Sequence, residues 1–121
     1  MKYLCLIYLD EQEMAALPHA EMNDLNVRHL ALNDSLRTSG NFIEASALES
    51  SASAARFRIR GGKRSIVDGP FAETKELVAG FYYIEARDMQ EAIGIASRFP
   101  SAPHATIEVW PARELIVDEE P

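Results

Sequence analysis

Two stretches of this chain have no polar face to turn towards water. Tyr3-Leu4-Cys5-Leu6-Ile7-Tyr8-Leu9 and Phe81-Tyr82-Tyr83-Ile84 are apolar or aromatic at every position. Successive side chains of a β-strand point to opposite sides of the sheet, so both stretches predict strands covered on two faces. The first run is too short to cross a bilayer and carries no signal-peptide cleavage pattern. Whatever else the chain forms, it must supply two layers of cover for one sheet.

The helices that could supply it are few. From His19 to Ser39, Met22, Leu25, Leu32 and Leu36 recur at helical spacing, with Pro18 suited to the first turn and Gly40 as a stop. Asp88-Met89-Gln90-Glu91 fits a capping box and opens a second helix, whose predicted inward stripe is Met89, Ala92, Ile93, Ala96 and Phe99 and which ends at Pro100. Asn41 to Leu48 and Thr106 to Trp110 read as further strands. Asp10 to Leu17 is an acidic excursion from the sheet, and Glu49 to Ala54 is a short loop of small residues. Arg56-Phe57-Arg58-Ile59-Arg60 alternates with period two, Gly61-Gly62 supplies a turn, and Lys63-Arg64-Ser65-Ile66-Val67 returns, which predicts a β-hairpin.

Without that hairpin the order is βαββαβ, the α+β arrangement of a ferredoxin-like domain. Two helices cover one face of a four-stranded sheet. The other face stays apolar, and a bare patch of that size on a soluble monomer is rare, so the pattern predicts a homodimer with sheet facing sheet about a two-fold axis. The length allows a single domain over residues 1–115, followed by an acidic tail over 116–121.

A formal charge of −7 disfavours nucleic acid and anionic membrane surfaces as partners and leaves small molecules or proteins. Cys5 is the single cysteine, so there is no intrachain disulfide or thiol-rich metal site, and a reducing cytoplasm fits. His19, His29 and His104 lack metal-ligand spacing, no Gly-x-Ser-x-Gly elbow or phosphate loop is present, and no cofactor is called for.

His29 fills the gap in the first helix's apolar stripe, between Leu25 and Leu32. It is either a core histidine with one hydrogen-bond partner or a group lining a pocket. Arg28 and Asn33 flank the stripe and either reach a pocket or solvate the helix edge. The stretch Asp68-Gly69-Pro70-Phe71-Ala72-Glu73-Thr74-Lys75-Glu76 combines a forced turn with charges of both signs. Asp68 either accepts backbone N–H groups in that turn or serves a cavity as acid or base. Glu73, Lys75 and Glu76 form local ion pairs unless they converge on one cavity. Arg56, Arg58, Arg60 and Lys63 are expected on one hairpin face, either as a solvated surface that prevents edge-to-edge pairing or as an anion site.

Met1 to Tyr8, Asp68 to Glu76, Gly80 to Ala86 and Ile107-Glu108-Val109-Trp110-Pro111 together resemble the DGPF-domain branch of the YCII-related, YciI-like proteins, over nearly the whole chain. The resemblance implies a dimeric α/β barrel of ferredoxin-like protomers, and a histidine and aspartate in a cleft performing acid–base chemistry without a metal. Arg28-His29-Leu30, followed by Leu36 and Gly40, is similar to the helix that carries the histidine, and Asp68 is the candidate aspartate. Trp110 stands where relatives usually show arginine, so an anion contact made there does not carry over. The expected site is therefore His29 and Asp68 as the catalytic pair, with Arg28, Glu73, Lys75 and Tyr83 contacting a small polar substrate. The alternative is a binding or regulatory module, associated with a sigma factor, that performs no catalysis.

Overall fold

In chain order the elements are β1 (Lys2–Asp10), α1 (Glu11–Ala15), α2 (His19–Thr38), β2 (Phe42–Ala47), β3 (Ala55–Arg60), β4 (Lys63–Asp68), β5 (Glu76–Glu85), α3 (Met89–Ala96) and β6 (Thr106–Pro111), with 3-10 turns at Ser51–Ser53 and Ala102–His104. The computed structural model describes residues 1–69 and 75–119. β2, β5, β1 and β6 form one antiparallel sheet in that order, and β3 and β4 form a separate two-stranded sheet. This is the ferredoxin-like α+β topology with an inserted hairpin that the apolar pattern predicts.

Alternation along β1 and β5 decides which side chains face the helices. Tyr3, Cys5, Ile7 and Leu9 of β1 and Tyr82 and Ile84 of β5 are buried in one core with Leu32 and Leu36 of α2 and with Ala92, Ile95 and Ala96 of α3. Leu4, Leu6 and Tyr8, with Phe81 and Tyr83, occupy the opposite face and are only half-buried. α3 differs from the sequence expectation by one position. Ile95 is in the core and Ile93 is 50% exposed, because the buried set Ala92, Ile95, Ala96 and Phe99 follows the 3-4 spacing of a helical stripe that Ile93 falls beside. Its start is as expected, with Asp88 accepting from the Glu91 N–H at 2.8 Å.

The acidic excursion after β1 is a short helix. Asp10 caps it, accepting from the backbone N–H groups of Gln12 at 2.9 Å and Glu13 at 3.2 Å. Glu11 then accepts from both the N–H and the hydroxyl of Ser51, at 2.7 and 2.9 Å. These bonds tie α1 to the loop after β2, so two segments far apart in sequence form one wall.

β5 is longer than its aromatic core suggested. Its partner on β1 shifts register between Ile7, opposite Gly80, and Tyr8, opposite Val78, leaving Ala79 as a bulge. A Cβ added at Gly80 would lie 2.8 Å from the Ser46 carbonyl oxygen of β2. Gly80→Ala is therefore expected to push β2 away and destabilise the protein by about 1–3 kcal/mol, read as a lower urea midpoint; an unchanged midpoint would show that the strands are not held this close.

In the hairpin, Gly61 and Gly62 both adopt positive φ (58° and 77°), as a two-residue turn of this hand requires. The register Arg56–Val67, Arg58–Ser65 and Arg60–Lys63 places the four basic side chains on one face. Phe57, Ile59 and Ile66 are on the other, and both faces are exposed.

Candidate functional site

Small side chains beneath a long helix create the site. Under the N-terminal half of α2 the sheet presents Ala45, Ala47, Ala79 and Gly80, so the helix and sheet do not close on one another. A cleft of about 870 Å³ remains. α1 and the loop tied to it by Glu11 and Ser51 form its outer wall, while Ile7, Leu9 and Leu25 line its floor and inner side.

His29 and Asn33, one helical turn apart, face this space from α2, Tyr82 faces it from β5, and Ser101 lies at its end beside the second 3-10 turn. His29 Nδ1 is 2.9 Å from the Tyr82 hydroxyl, and the two rings lie 5.9 Å apart. Tyr82 is itself held, its ring stacked on Phe99 at 4.2 Å with 21° between planes, and both are almost fully buried. A rigid aromatic pair in the core thus fixes the orientation of an imidazole at the cleft wall.

Burial lowers the His29 imidazole below its ordinary value, and the Arg28 charge beside it acts in the same direction. Burial pushes the Tyr82 hydroxyl up to about 12. Near neutral pH the pair is thus a neutral imidazole against a protonated phenol. Because the folded His29 binds its proton less tightly than the unfolded chain does, its contribution to stability is complete above the ordinary imidazole value of about 6.5 and is lost as pH falls from there towards the lower, folded pKa. Urea unfolding at a series of pH values should show this acid loss in the wild type and a smaller one in His29→Gln; equal pH dependence would contradict it. Cys5, by contrast, is fully buried, and burial pushes its thiol up to about 11, so it is a core residue and not a nucleophile.

Of the residues singled out in the sequence, His29 and the flanking Asn33 line the cleft. Asp68 ends β4, exposed, and is not among the described lining residues; the hydrogen bond of the His29 ring goes to Tyr82. Gly69, next to Asp68, packs against the Ser51 carbonyl, where a Cβ would collide. Arg28 points away from the cleft wall and pairs with Asp24 at 3.0 Å on the exposed side of α2. Lys75 is exposed, and Tyr83 sits on the opposite sheet face with Leu4, Leu6, Phe81 and Trp110. Glu73 lies outside the described residues. Tyr82 and Ser101 were not singled out by sequence: a tyrosine in an all-apolar strand reads as core, and a serine in a turn has no distinguishing pattern. Among the described residues no three metal-ligating side chains form a group, and no helix is long and apolar enough to cross a membrane.

Comparison with known proteins agrees with this architecture. The model of the YCII-related domain matches residues 1–116. An uncharacterised protein of Rhizobium meliloti (strain 1021) is 33% identical over 110 residues, spanning 88% of this chain and 86% of that protein. Among solved structures, 5-chloro-2-hydroxyhydroquinone dehydrochlorinase from Burkholderia phenoliruptrix AC1100, in complex with 2,5-dihydroxybenzoquinone, has a similar fold, with a TM-score of 0.57 over 93% of this chain and 94% of that one at 14% identity.

Proposed function

The chain belongs to the YCII-related family, and from that premise we propose that the cleft beneath α2 is a small-molecule site in which His29 transfers a proton and Tyr82 holds its ring. The observation that carries this reading is the 2.9 Å contact between His29 Nδ1 and the Tyr82 hydroxyl at the wall of a cleft large enough for a metabolite. When Nδ1–H donates to the tyrosine oxygen, Nε2 keeps its lone pair and accepts a proton from the ligand or from a water attacking it. The imidazolium formed then returns that proton to another atom of the product, which completes an isomerisation or a hydrolysis. An imidazole kept neutral by burial is ready to act as the base. The similar fold of a dehydrochlorinase solved with a small ring compound supports a small-molecule role for this architecture.

The test is a metabolite screen for turnover, followed by His29→Gln and Tyr82→Phe. Loss in the first and a weaker, pH-shifted activity in the second are expected. Binding without turnover in the wild type would replace catalysis by a binding role, and full activity in His29→Gln would remove the histidine from the chemistry.

The reading includes assembly. Leu4, Leu6, Phe81, Tyr83 and Trp110 form an apolar patch on the helix-free sheet face, beside Glu44 and beside Glu108, whose carboxylate accepts from the Tyr8 hydroxyl and the Trp110 indole, and Trp110 is 55% exposed in the single chain. Two copies packed through this face cover it in each.

A further inference from the structure

What the cleft takes follows from what its wall offers and what it lacks, given the reading of the cleft as a small-molecule site. Most of the wall is apolar, with Ile7, Leu9, Met14, Met22 and Leu25 among its members. Among the described lining residues there is no lysine or arginine, and the charged ones are Glu11 and Glu49. Glu11 already holds Ser51. A carboxylate or phosphate entering this space would give up its hydration for no counter-charge, beside acidic side chains.

Two polar atoms point the other way. Asn33 Oδ1 and Ser101 Oγ are buried and have no hydrogen-bond partner; both residues line the cleft, and Ser101 as a whole is 3% exposed. Folded proteins leave few such atoms, because each forgoes its hydrogen bonds to water and gains none in return. An amide oxygen only accepts, and a serine hydroxyl both donates and accepts. A hydroxyl group satisfies either one. A ligand hydroxyl that a small side-chain adjustment lets reach them supplies the bonds they lack.

We infer that the cleft binds an uncharged, hydroxyl-bearing molecule with an apolar body, that Asn33 Oδ1 and Ser101 Oγ are the atoms that engage its hydroxyl groups, and that carboxylates and phosphates are rejected. Asn33 stands one helical turn beyond His29, so a hydroxyl held at Asn33 lies along the same face as the imidazole. The residue that selects the ligand and the residue that exchanges its proton are then set by one helix. His29 defines the reaction, and a wall without lysine or arginine among the described lining residues, together with the two orphaned oxygens, defines the substrate class.

Three ring-matched probes test this by isothermal titration calorimetry on the full chain at neutral pH: β-naphthol, its carboxylate counterpart β-naphthoate, and naphthalene. β-Naphthol is expected to bind about 10-fold or more tightly than β-naphthoate, since the carboxylate must be desolvated without a partner. Asn33→Leu and Ser101→Ala should each weaken β-naphthol by about 3- to 10-fold, the range for a lost neutral hydrogen bond, and leave naphthalene unchanged. Asn33→Leu removes a buried unpaired oxygen, so its thermal midpoint is expected at or above that of the wild type, which separates lost binding from lost folding. β-Naphthoate binding as tightly as β-naphthol would overturn the ligand class while leaving the cleft a small-molecule site. Unchanged β-naphthol affinity in both variants would overturn the two anchors. No binding by any probe would overturn this inference together with the reading it rests on, whereas β-naphthol binding retained in a catalytically silent protein would count against catalysis alone.

Discussion

His29→Gln lowers turnover in the cleft by about 10²- to 10⁴-fold, the usual contribution of a positioned acid or base, while the protein still folds. Glutamine keeps a polar group near the Tyr82 hydroxyl, so the 2.9 Å contact is replaced by a similar one and the helix loses little. What disappears is a group that can change protonation state near neutral pH. Because burial and Arg28 hold the imidazole below its ordinary value, the wild-type rate stays level through neutral pH and falls only as the solution becomes acidic enough to protonate His29. That acid limb belongs to His29 and should vanish from whatever activity remains in the variant. Tyr82→Phe separates positioning from proton transfer. It removes the hydroxyl but keeps the ring stacked on Phe99, so the fold persists, the rate falls less than in His29→Gln, and the acid limb moves. A rate unchanged in both variants would place the chemistry elsewhere.

Leu6→Glu is the second large effect. Leu6 lies in the centre of β1 on the face away from both helices, opposite Phe81 on one neighbour and Glu108 on the other. In a single chain a glutamate there can reach water and the protomer folds. In a dimer packed through this face it becomes a buried charge beside Glu108, which costs about 3–5 kcal/mol in each copy, so the dissociation constant rises by at least about 10²- to 10⁴-fold. Sedimentation velocity at micromolar concentration is expected to show a dimer for the wild type and a monomer for Leu6→Glu. A wild-type monomer would leave the apolar face uncovered and would contradict the assembly.

The fold was legible because its signals are local. Tyr3 to Leu9 alternates between two apolar faces, Gly61-Gly62 fixes the hairpin register, and Asp88 marks the start of α3; each depends on neighbours within a few residues. The miss at Ile93 is of the same kind, one member of the stripe taken in place of Ile95 while Met89, Ala92, Ala96 and Phe99 face the core as expected. The site was legible only in part. His29 was visible as a titratable ring interrupting an apolar stripe, but its partner Tyr82 is 53 residues away and meets it only once α2 packs on β5. The sequence drew attention instead to Asp68, whose signal is a local Gly-Pro turn pattern that says nothing about distance from the helix; Asp68 is exposed at the end of β4. The cleft itself follows from small residues on two strands and from the Glu11–Ser51 link, a tertiary fact with no sequence period behind it.

Whether the His29 ring is a neutral, ligand-facing group in this cleft is read by NMR of its ring nitrogens through a pH titration, with and without β-naphthol. His29 is expected to titrate below about 6.5, the ordinary imidazole value, and β-naphthol to move its resonances while leaving unmoved those of His19 and His104, which are not among the described lining residues of the cleft. A His29 that titrates at or above the ordinary value and does not respond to the probe would contradict it.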